Sequence, residues 1–152
     1  VSDKQVPLFV KLPPWPRNDE NRRDILKLAE TVVDAGADGL VVANTHPVES
    51  SRLQVGRGGL SGAPLFEHTE LMIADVQAVV QGQVEIIACG GVSTANHVWQ
   101  LLASGASAVQ LYTSFIYEGP GLPAQINKGL VKLMDRAGIA SVAEITGPPP
   151  SN

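Results

Sequence analysis

The sequence predicts an α/β protein whose parallel sheet is built from about four consecutive βα units. Short apolar segments alternate along the chain with longer segments in which apolar residues recur at helical spacing. The strand segments are apolar almost throughout, which is typical of strands that are covered on both faces. Because strands and helices alternate in this way, neighbouring strands are expected to run parallel and to be joined by helical crossovers.

Each predicted element has a local signal for its position. The run PLFVK (7–11) is short, apolar and partly β-branched, and it predicts the first strand. Apolar residues at helical spacing predict a helix over 19–35, with Asn18 as a candidate N-cap and Gly36 just beyond its end. The run DGLVVAN (38–44) predicts the second strand.

The rest of the chain repeats this order of elements. A polar, glycine-rich loop is expected over 45–63, and Pro64 can open the next helix. VEIIACGG (84–91) predicts the third strand, Ser93 is a candidate cap of the following helix, and SAVQLYT (107–113) predicts the fourth strand. The last helix is predicted by apolar residues at helical spacing: Ile126, Leu130, Leu133, Met134 and Ala137.

Composition and charge exclude several classes of protein. Charged residues make up 17% of the 152 residues and the net charge is −4, with no cluster of lysines and arginines for nucleic acid. The single cysteine, Cys89, excludes an internal disulfide and a cysteine-rich zinc site, and it is expected to be buried. The histidines lack metal-ligand spacing, and His68 and His97 are expected at the surface. No apolar run approaches the ~18–20 residues that span a bilayer.

The predicted units can close in two ways. A doubly wound sheet carries helices on both faces, whereas a barrel carries all of them outside. A complete (β/α)8 TIM barrel takes ~250 residues, so this chain would supply about half of one. Right-handed crossovers without a reversal of strand order then put every helix on one face and leave the other face and both edges bare. We therefore expect either a missing N-terminal half or self-association. The chain begins with Val1 instead of an initiator methionine, which suggests a processed or partial chain.

The chemistry is expected at the carboxyl ends of the strands, where barrels form their active sites. Gly90 and Gly91 end the third predicted strand, and Tyr112 and Thr113 end the fourth. Glycines let backbone N–H groups approach an anion closely, and the threonine offers a hydroxyl. These neighbouring strand ends predict one phosphate-binding site, although a plain tight turn would explain the paired glycines equally well.

Other polar residues follow the first two strands. Lys11 ends the first strand, where its charge faces either solvent or an anionic group in the site. Asn44 and Thr45 end the second strand, and asparagine there either binds an amide-like or carboxylate ligand or forms a local turn. The segment 56–62 is either a plain loop or a wall for a flat cofactor, and His46 is expected near the site.

Six segments occur in a recognisable order: FVKLPPW, GLVVANT, GGLSGAPL, IIACGGVS, GASAVQLYTSFIYEGP and AGIASVAEITG. Together they resemble the C-terminal half of dihydroorotate dehydrogenases, the FMN enzymes of pyrimidine (UMP) biosynthesis, over about 7–147. GGLSGAPL and the LYT…GP ending are similar to class 2, the quinone-dependent, membrane-associated branch. The resemblance implies the C-terminal half of a TIM barrel, with a partial FMN-binding domain over 1–147. The proline-rich composition of the end of the chain predicts a disordered tail over 148–152.

The resemblance also implies roles for individual residues. Lys11 matches the lysine that contacts the flavin ring and helps to stabilise its reduced, anionic form. Asn44 and Thr45 match residues that bind dihydroorotate or orotate. The remaining FMN-binding positions are Ala43, Ser61, Gly62, Gly90, Gly91, Tyr112 and Thr113. The family usually has threonine where this chain has Ala43, so a backbone contact would survive there and a hydroxyl contact would be lost.

The reaction implied by the resemblance is the oxidation of dihydroorotate to orotate with quinone as electron acceptor. A base removes a proton from C5 while hydride passes from C6 to flavin N5, and the protein supplies position and charge. The family's base, a serine in class 2, belongs to the N-terminal half, together with the quinone tunnel and any membrane anchor. No catalytic residue is therefore expected in this chain, which alone should be inactive, and the full protein is expected at the mitochondrial or bacterial inner membrane.

Two other functions fit some of these residues. A different flavin barrel, such as a dihydropyrimidine or dihydrouridine reductase, is disfavoured by GGLSGAPL and by the ending. A non-catalytic phosphate- or FMN-binding half-barrel that pairs with another chain stays open. An upstream reading frame with further βα units would favour the enzyme, and a start codon near Val1 would favour the module.

Overall fold

The computed structural model describes residues 6–15 and 19–150, so the candidate N-cap Asn18 lies outside the described residues. The longer elements, in chain order, are β1 (Phe9–Lys11), α1 (Asp19–Asp34), β2 (Gly39–Val42), β3 (His46–Glu49), β4 (Arg57–Leu60), α2 (Phe66–Val80), β5 (Glu85–Cys89), α3 (Ala95–Ala103), β6 (Ala108–Gln110), α4 (Thr113–Glu118) and α5 (Leu122–Ala137). Short 3-10 turns lie at Ala63–Leu65 and Val142–Glu144.

The main sheet has four parallel strands in the order β1-β2-β5-β6. This spatial order follows the chain order without a reversal, as consecutive units of a barrel wall do. The register places Leu40 beside both Val10 and Ile86. The predicted fold class, α/β with a parallel sheet, is confirmed.

The core lies between one face of this sheet and the helices. Leu40, Val42, Ile86 and Ala88 alternate along the two central strands, and each is at most 1% exposed. They belong to one buried cluster with the apolar side of α2: Met72, Ile73, Val76 and Val80. Burying a side chain of this size contributes roughly 1.5–3 kcal/mol, so this layer holds the strands and their tips in place.

The other sheet face is much less covered. The register row Lys11–Val41–Ile87–Ala108 lies on it, and its outer members are exposed. The Phe9 ring lies across Gly39, where an added Cβ would meet the ring at 2.1 Å. On this face Val41 in the centre is 9% exposed, while Lys11 and Ala108 on the edge strands are exposed. A less covered face is expected for a sheet whose crossovers all lie on one side.

Three local predictions are wrong. The segment 45–63 is not a plain loop, because β3 and β4 pair within it as an antiparallel hairpin. The fourth strand ends at Gln110, and Thr113 begins the short helix α4 rather than ending a strand. The cap of α3 is Thr94 instead of Ser93, and its hydroxyl accepts the N–H of His97 at 3.1 Å.

The C-terminal segment packs against α3. The buried Trp99 donates its indole N–H to the carbonyl of Gly147 at 3.1 Å, and Ile145 is buried beside the core. Residues 148–150 have no regular structure and 151–152 lie outside the described part, so the disordered tail stays a prediction. None of the described helices combines the length and the hydropathy that a membrane crossing requires.

Candidate functional site

A cavity of about 590 Å³ opens at the carboxyl ends of the parallel strands. Its volume lies within the ~300–1,000 Å³ range of cofactor and ligand pockets. The ten residues that the sequence and the resemblance nominated all line it: Lys11, Ala43, Asn44, Thr45, Ser61, Gly62, Gly90, Gly91, Tyr112 and Thr113. The structure thus brings them together, while the role of each one stays a prediction.

The ends of the third and fourth parallel strands meet directly. The hydroxyl of Ser114, one residue after Thr113, donates to the carbonyl of Val92 in the loop after β5. Among the backbone hydrogen bonds of the described residues, none uses the N–H groups of Gly91 and Val92. Free backbone donors beside a hydroxyl are the groups that hold an oxyanion.

The two glycines of this loop are also required by packing. Gly91 has φ of 74°, and an added Cβ would lie 2.4 Å from the backbone nitrogen of Phe66. Gly90 has φ of 145°, and its added Cβ would meet the hydroxyl of Thr69 at 2.5 Å. The loop therefore presses on the start of α2 from one side while its backbone lines the cavity on the other. Gly90 and Gly91 can therefore form a tight turn and bind a ligand at the same time.

The segment before α2 closes the cavity from another side. The hydroxyl of Thr113 donates to Oγ of Ser61 at 3.1 Å. Gly62 has φ of 84°, and an added Cβ would lie 3.0 Å from Cγ2 of Thr113. Because any side chain at Gly62 would crowd Thr113, glycine allows this close approach between the two walls.

The end of β2 is held by backbone and local hydrogen bonds. Ala43 donates its N–H to the carbonyl of Cys89 at 2.9 Å, and the Val42–Ala43 peptide bond is cis. Asn44 accepts the N–H of the next residue, Thr45, through its own Oδ1 at 2.8 Å. Since this bond uses only the oxygen, the Asn44 amide nitrogen stays available as a donor.

Lys11 supplies a positive charge at the rim. Its side chain is exposed at the end of β1, and it lines the cavity. Among the described carboxylates none lies within salt-bridge distance of Lys11. A charge without a protein partner at the mouth of a cavity favours anionic ligands.

His97 is half-buried, contrary to the surface position that the sequence indicated. Its ring stacks on Phe66 with the centroids 3.9 Å apart and the planes at 22°. Nδ1 of His97 accepts the N–H of Ser93 at 3.3 Å. Burial lowers the pKa of His97 below its ordinary value, and a hydrogen bond with the Gly91 backbone partly opposes this. The neutral ring, which can accept a hydrogen bond, is therefore favoured at neutral pH.

Sequence reasoning missed several lining residues. Cys89 was expected to be buried but is only half-buried, and together with Gln110, its register partner on β6, it lines the cavity. A polar glutamine near the end of an otherwise apolar strand was the available signal. His46 does not line the cavity; it is buried, with its ring centroid 5.4 Å from that of His68. In the described part of the chain no group of side chains could hold a metal ion.

Comparison with known proteins identifies relatives over most of the chain. The family model for dihydroorotate dehydrogenase matches residues 1–134. A dihydroorotate dehydrogenase (quinone) from Allorhizobium ampelinum is 42% identical over 146 residues, covering 93% of this chain and 39% of the relative. The mitochondrial dihydroorotate dehydrogenase (quinone) of Arabidopsis thaliana is 36% identical over 146 residues, with 93% of this chain and 31% of the relative covered.

A solved structure shows the same fold. The crystal structure of the DHODH of Eimeria tenella in complex with ferulenol has a TM-score of 0.80 and 37% identity, and the match covers 96% of this chain and 39% of that one. The chain thus spans between about a third and two fifths of the length of these relatives. Its four-stranded sheet is part of a TIM barrel. The resemblance noted from the six sequence segments is confirmed, and the chain belongs to the dihydroorotate dehydrogenase family.

Proposed function

We propose that the full protein oxidises dihydroorotate to orotate with quinone as electron acceptor, in pyrimidine (UMP) biosynthesis, and that this chain forms part of its FMN site. One observation carries the proposal: residues nominated from separate strand ends line a single cavity. The relatives named dihydroorotate dehydrogenase (quinone) support the choice of substrate and acceptor.

The residues of the cavity fit FMN, which has a flat ring and a terminal phosphate. The unused N–H groups of Gly91 and Val92, with the hydroxyl of Thr113, would hold the phosphate. The half-buried Cys89 and the buried Ala43 offer an apolar surface for the ring. Bound FMN would supply the hydride acceptor for the reaction. This chain's contribution is to bind and orient it.

The first two strand ends fit the substrate. Dihydroorotate carries a carboxylate and ring amides, which the Asn44 amide nitrogen and the Thr45 hydroxyl can recognise by hydrogen bonding. The positive charge of Lys11 would stabilise the anionic form of a reduced flavin. The proton-abstracting base, the quinone site and contact with an inner membrane are proposed for other parts of the full protein. The relative from Arabidopsis thaliana is named as mitochondrial.

An assay of the full protein tests this proposal. We expect yellow protein that is bleached by dihydroorotate without oxygen, and faster turnover with a quinone analogue than with fumarate or NAD⁺. Lys11→Ala should reduce the rate of flavin reduction by at least about tenfold, since it removes a fixed charge beside the ring. Lys27→Ala, on the exposed side of α1, is the matched control and should leave the rate unchanged.

Two outcomes would contradict the proposal. Colourless protein that does not bind added FMN would remove the flavin assignment. A full protein that binds FMN but does not oxidise dihydroorotate would favour the alternative of a non-catalytic FMN-binding module.

A further inference from the structure

His97 lies on the first turn of α3, next to the loop 90–93 that lines the cavity. The Ser93 N–H donates to its Nδ1 at 3.3 Å, and the Ser93 hydroxyl lies 3.4 Å from the same nitrogen. His97 itself is not a lining residue of the cavity. Any effect of His97 on a ligand there must therefore pass through the loop.

The same histidine joins the loop to α2. Its ring stacks on Phe66, the first residue of that helix, at a centroid distance of 3.9 Å. Gly91 packs so closely on the Phe66 backbone that an added Cβ would lie 2.4 Å from the nitrogen. The loop is thus fixed at Gly91 by Phe66 and at Ser93 by His97, and the N–H groups of Gly91 and Val92 lie between these fixed points.

This arrangement needs an unprotonated Nδ1, because a protonated one could not accept the Ser93 N–H. Burial lowers the pKa of His97 and so favours that state. A loop whose donors are already aimed loses less conformational entropy when an anion binds. Loss of the acceptor would free Ser93, and the N–H groups of Gly91 and Val92 could then turn away from the cavity.

We propose that His97 is a positioning residue: by accepting the Ser93 N–H at Nδ1 it holds the loop 90–93 in the conformation that binds the phosphate of FMN. This role rests on the proposed function. It differs from general support of the fold because it concerns the phosphate alone. Riboflavin has the same ring and no phosphate, so its affinity should not depend on His97.

The test compares FMN and riboflavin binding to variants of the full protein. His97→Phe keeps an aromatic ring against Phe66 and removes the acceptor. His97→Asn keeps an acceptor close to the position of Nδ1 and loses the stack. We expect His97→Phe to weaken FMN roughly five- to tenfold, as for one lost hydrogen bond, with riboflavin affinity unchanged. His97→Asn should restore most of the FMN affinity.

A matched control separates positioning from stability. Thr94→Ala removes the cap of the same helix without touching Nδ1, so it should lower the Tm and leave the ratio of FMN to riboflavin affinity unchanged. If His97→Phe does not fold, His97→Ala replaces it, because alanine and asparagine both lose the stack and only asparagine keeps an acceptor.

The outcomes distinguish this inference from the proposed function. Equal loss of FMN and riboflavin, or unchanged FMN affinity in the variants without an acceptor, would overturn the positioning role. Equal FMN affinity in the asparagine and alanine variants would overturn it as well. Wild-type protein that does not bind FMN would instead overturn the proposed function.

Discussion

Thr113 contacts two walls of the cavity through different atoms. Its hydroxyl donates to Ser61 at 3.1 Å, and its methyl carbon lies where a side chain at Gly62 would have to go. Thr113 also lines the cavity, as do Gly91 and Val92, whose N–H groups are unused in the backbone hydrogen bonds of the described residues. A hydroxyl has one proton to donate, and a phosphate only accepts hydrogen bonds. For Thr113 to bind a phosphate, its proton must turn from Ser61 to the phosphate, and the Ser61 hydroxyl can then donate to Thr113.

Thr113→Val separates these contributions. Valine keeps the methyl contact and the β-branched shape and removes the hydroxyl, so the fold should be little affected. We expect FMN affinity to fall by about 1 kcal/mol, or roughly fivefold, measured by titration of flavin fluorescence with the full protein. Thr31→Val is the matched control, because its hydroxyl bonds only the Lys27 carbonyl on α1. Unchanged affinity in Thr113→Val would remove Thr113 from the phosphate site.

Several of the nominated residues could be found from sequence because parallel strands end at one edge of a sheet. Ser61 and Gly62, which follow the antiparallel strand β4, were instead identified by the resemblance to the family. Gly90-Gly91 and Tyr112-Thr113 were predicted from their position after apolar strand segments and from the backbone and hydroxyl donors that they offer to an anion. His97 could not be found in this way. Its role depends on Phe66, which lies far away in sequence, and the contact arises only when α2 and α3 pack side by side.

At the scale of elements, the loop between β5 and α3 is shaped by the start of α2. Both of its glycines have positive φ, and the space for a Cβ is filled by Phe66 at Gly91 and by Thr69 at Gly90. The phosphate loop and α2 therefore behave as one packed unit. A change that pushes the loop off the helix should cost stability as well as ligand affinity.

Gly91→Ala measures this packing. Gly138, beyond α5, is the matched control: its φ of 69° resembles the 74° of Gly91, but its added Cβ would meet nothing within 4 Å. Gly138→Ala should lower the free energy of unfolding by only about 1–2 kcal/mol, which is the cost of placing an alanine in the left-handed backbone conformation. Gly91→Ala should lose a further ~1–3 kcal/mol from the clash with Phe66, seen in urea unfolding. Equal losses would show that the loop does not depend on contact with α2.

Elements with a buried side were predictable, and elements without one were not. The strand β2 and the helix α2 carry apolar residues that face the core, which gives them clear patterns. All residues of β4 are exposed, so its sequence RGGL has no alternation and indicated a loop. The segment SFIYE continues the apolar run of β6, and only its position beyond the sheet makes it the helix α4.

At the scale of the whole molecule, the described chain has one covered and one uncovered sheet face. Side chains on the helical face, such as Leu40 and Ile86, are almost fully buried. On the other face Lys11 and Ala108 are exposed and Phe9 is 37% exposed. In a closed barrel this face would be the interior. The part of the chain that the structure describes leaves the edge strands of this face to water or to another chain.

We expect residues 1–152, produced alone, to self-associate through this face, because exposed apolar strands associate readily. Sedimentation velocity at several concentrations should show dimers or larger species. Phe9→Glu puts a charge on the uncovered face and should shift the population towards monomer. Leu71→Glu is the matched control, since Leu71 is 57% exposed on the helical side and its change should leave association unaltered. A monomer that stays folded and soluble at all concentrations would contradict this, because the uncovered face would then be stable in water.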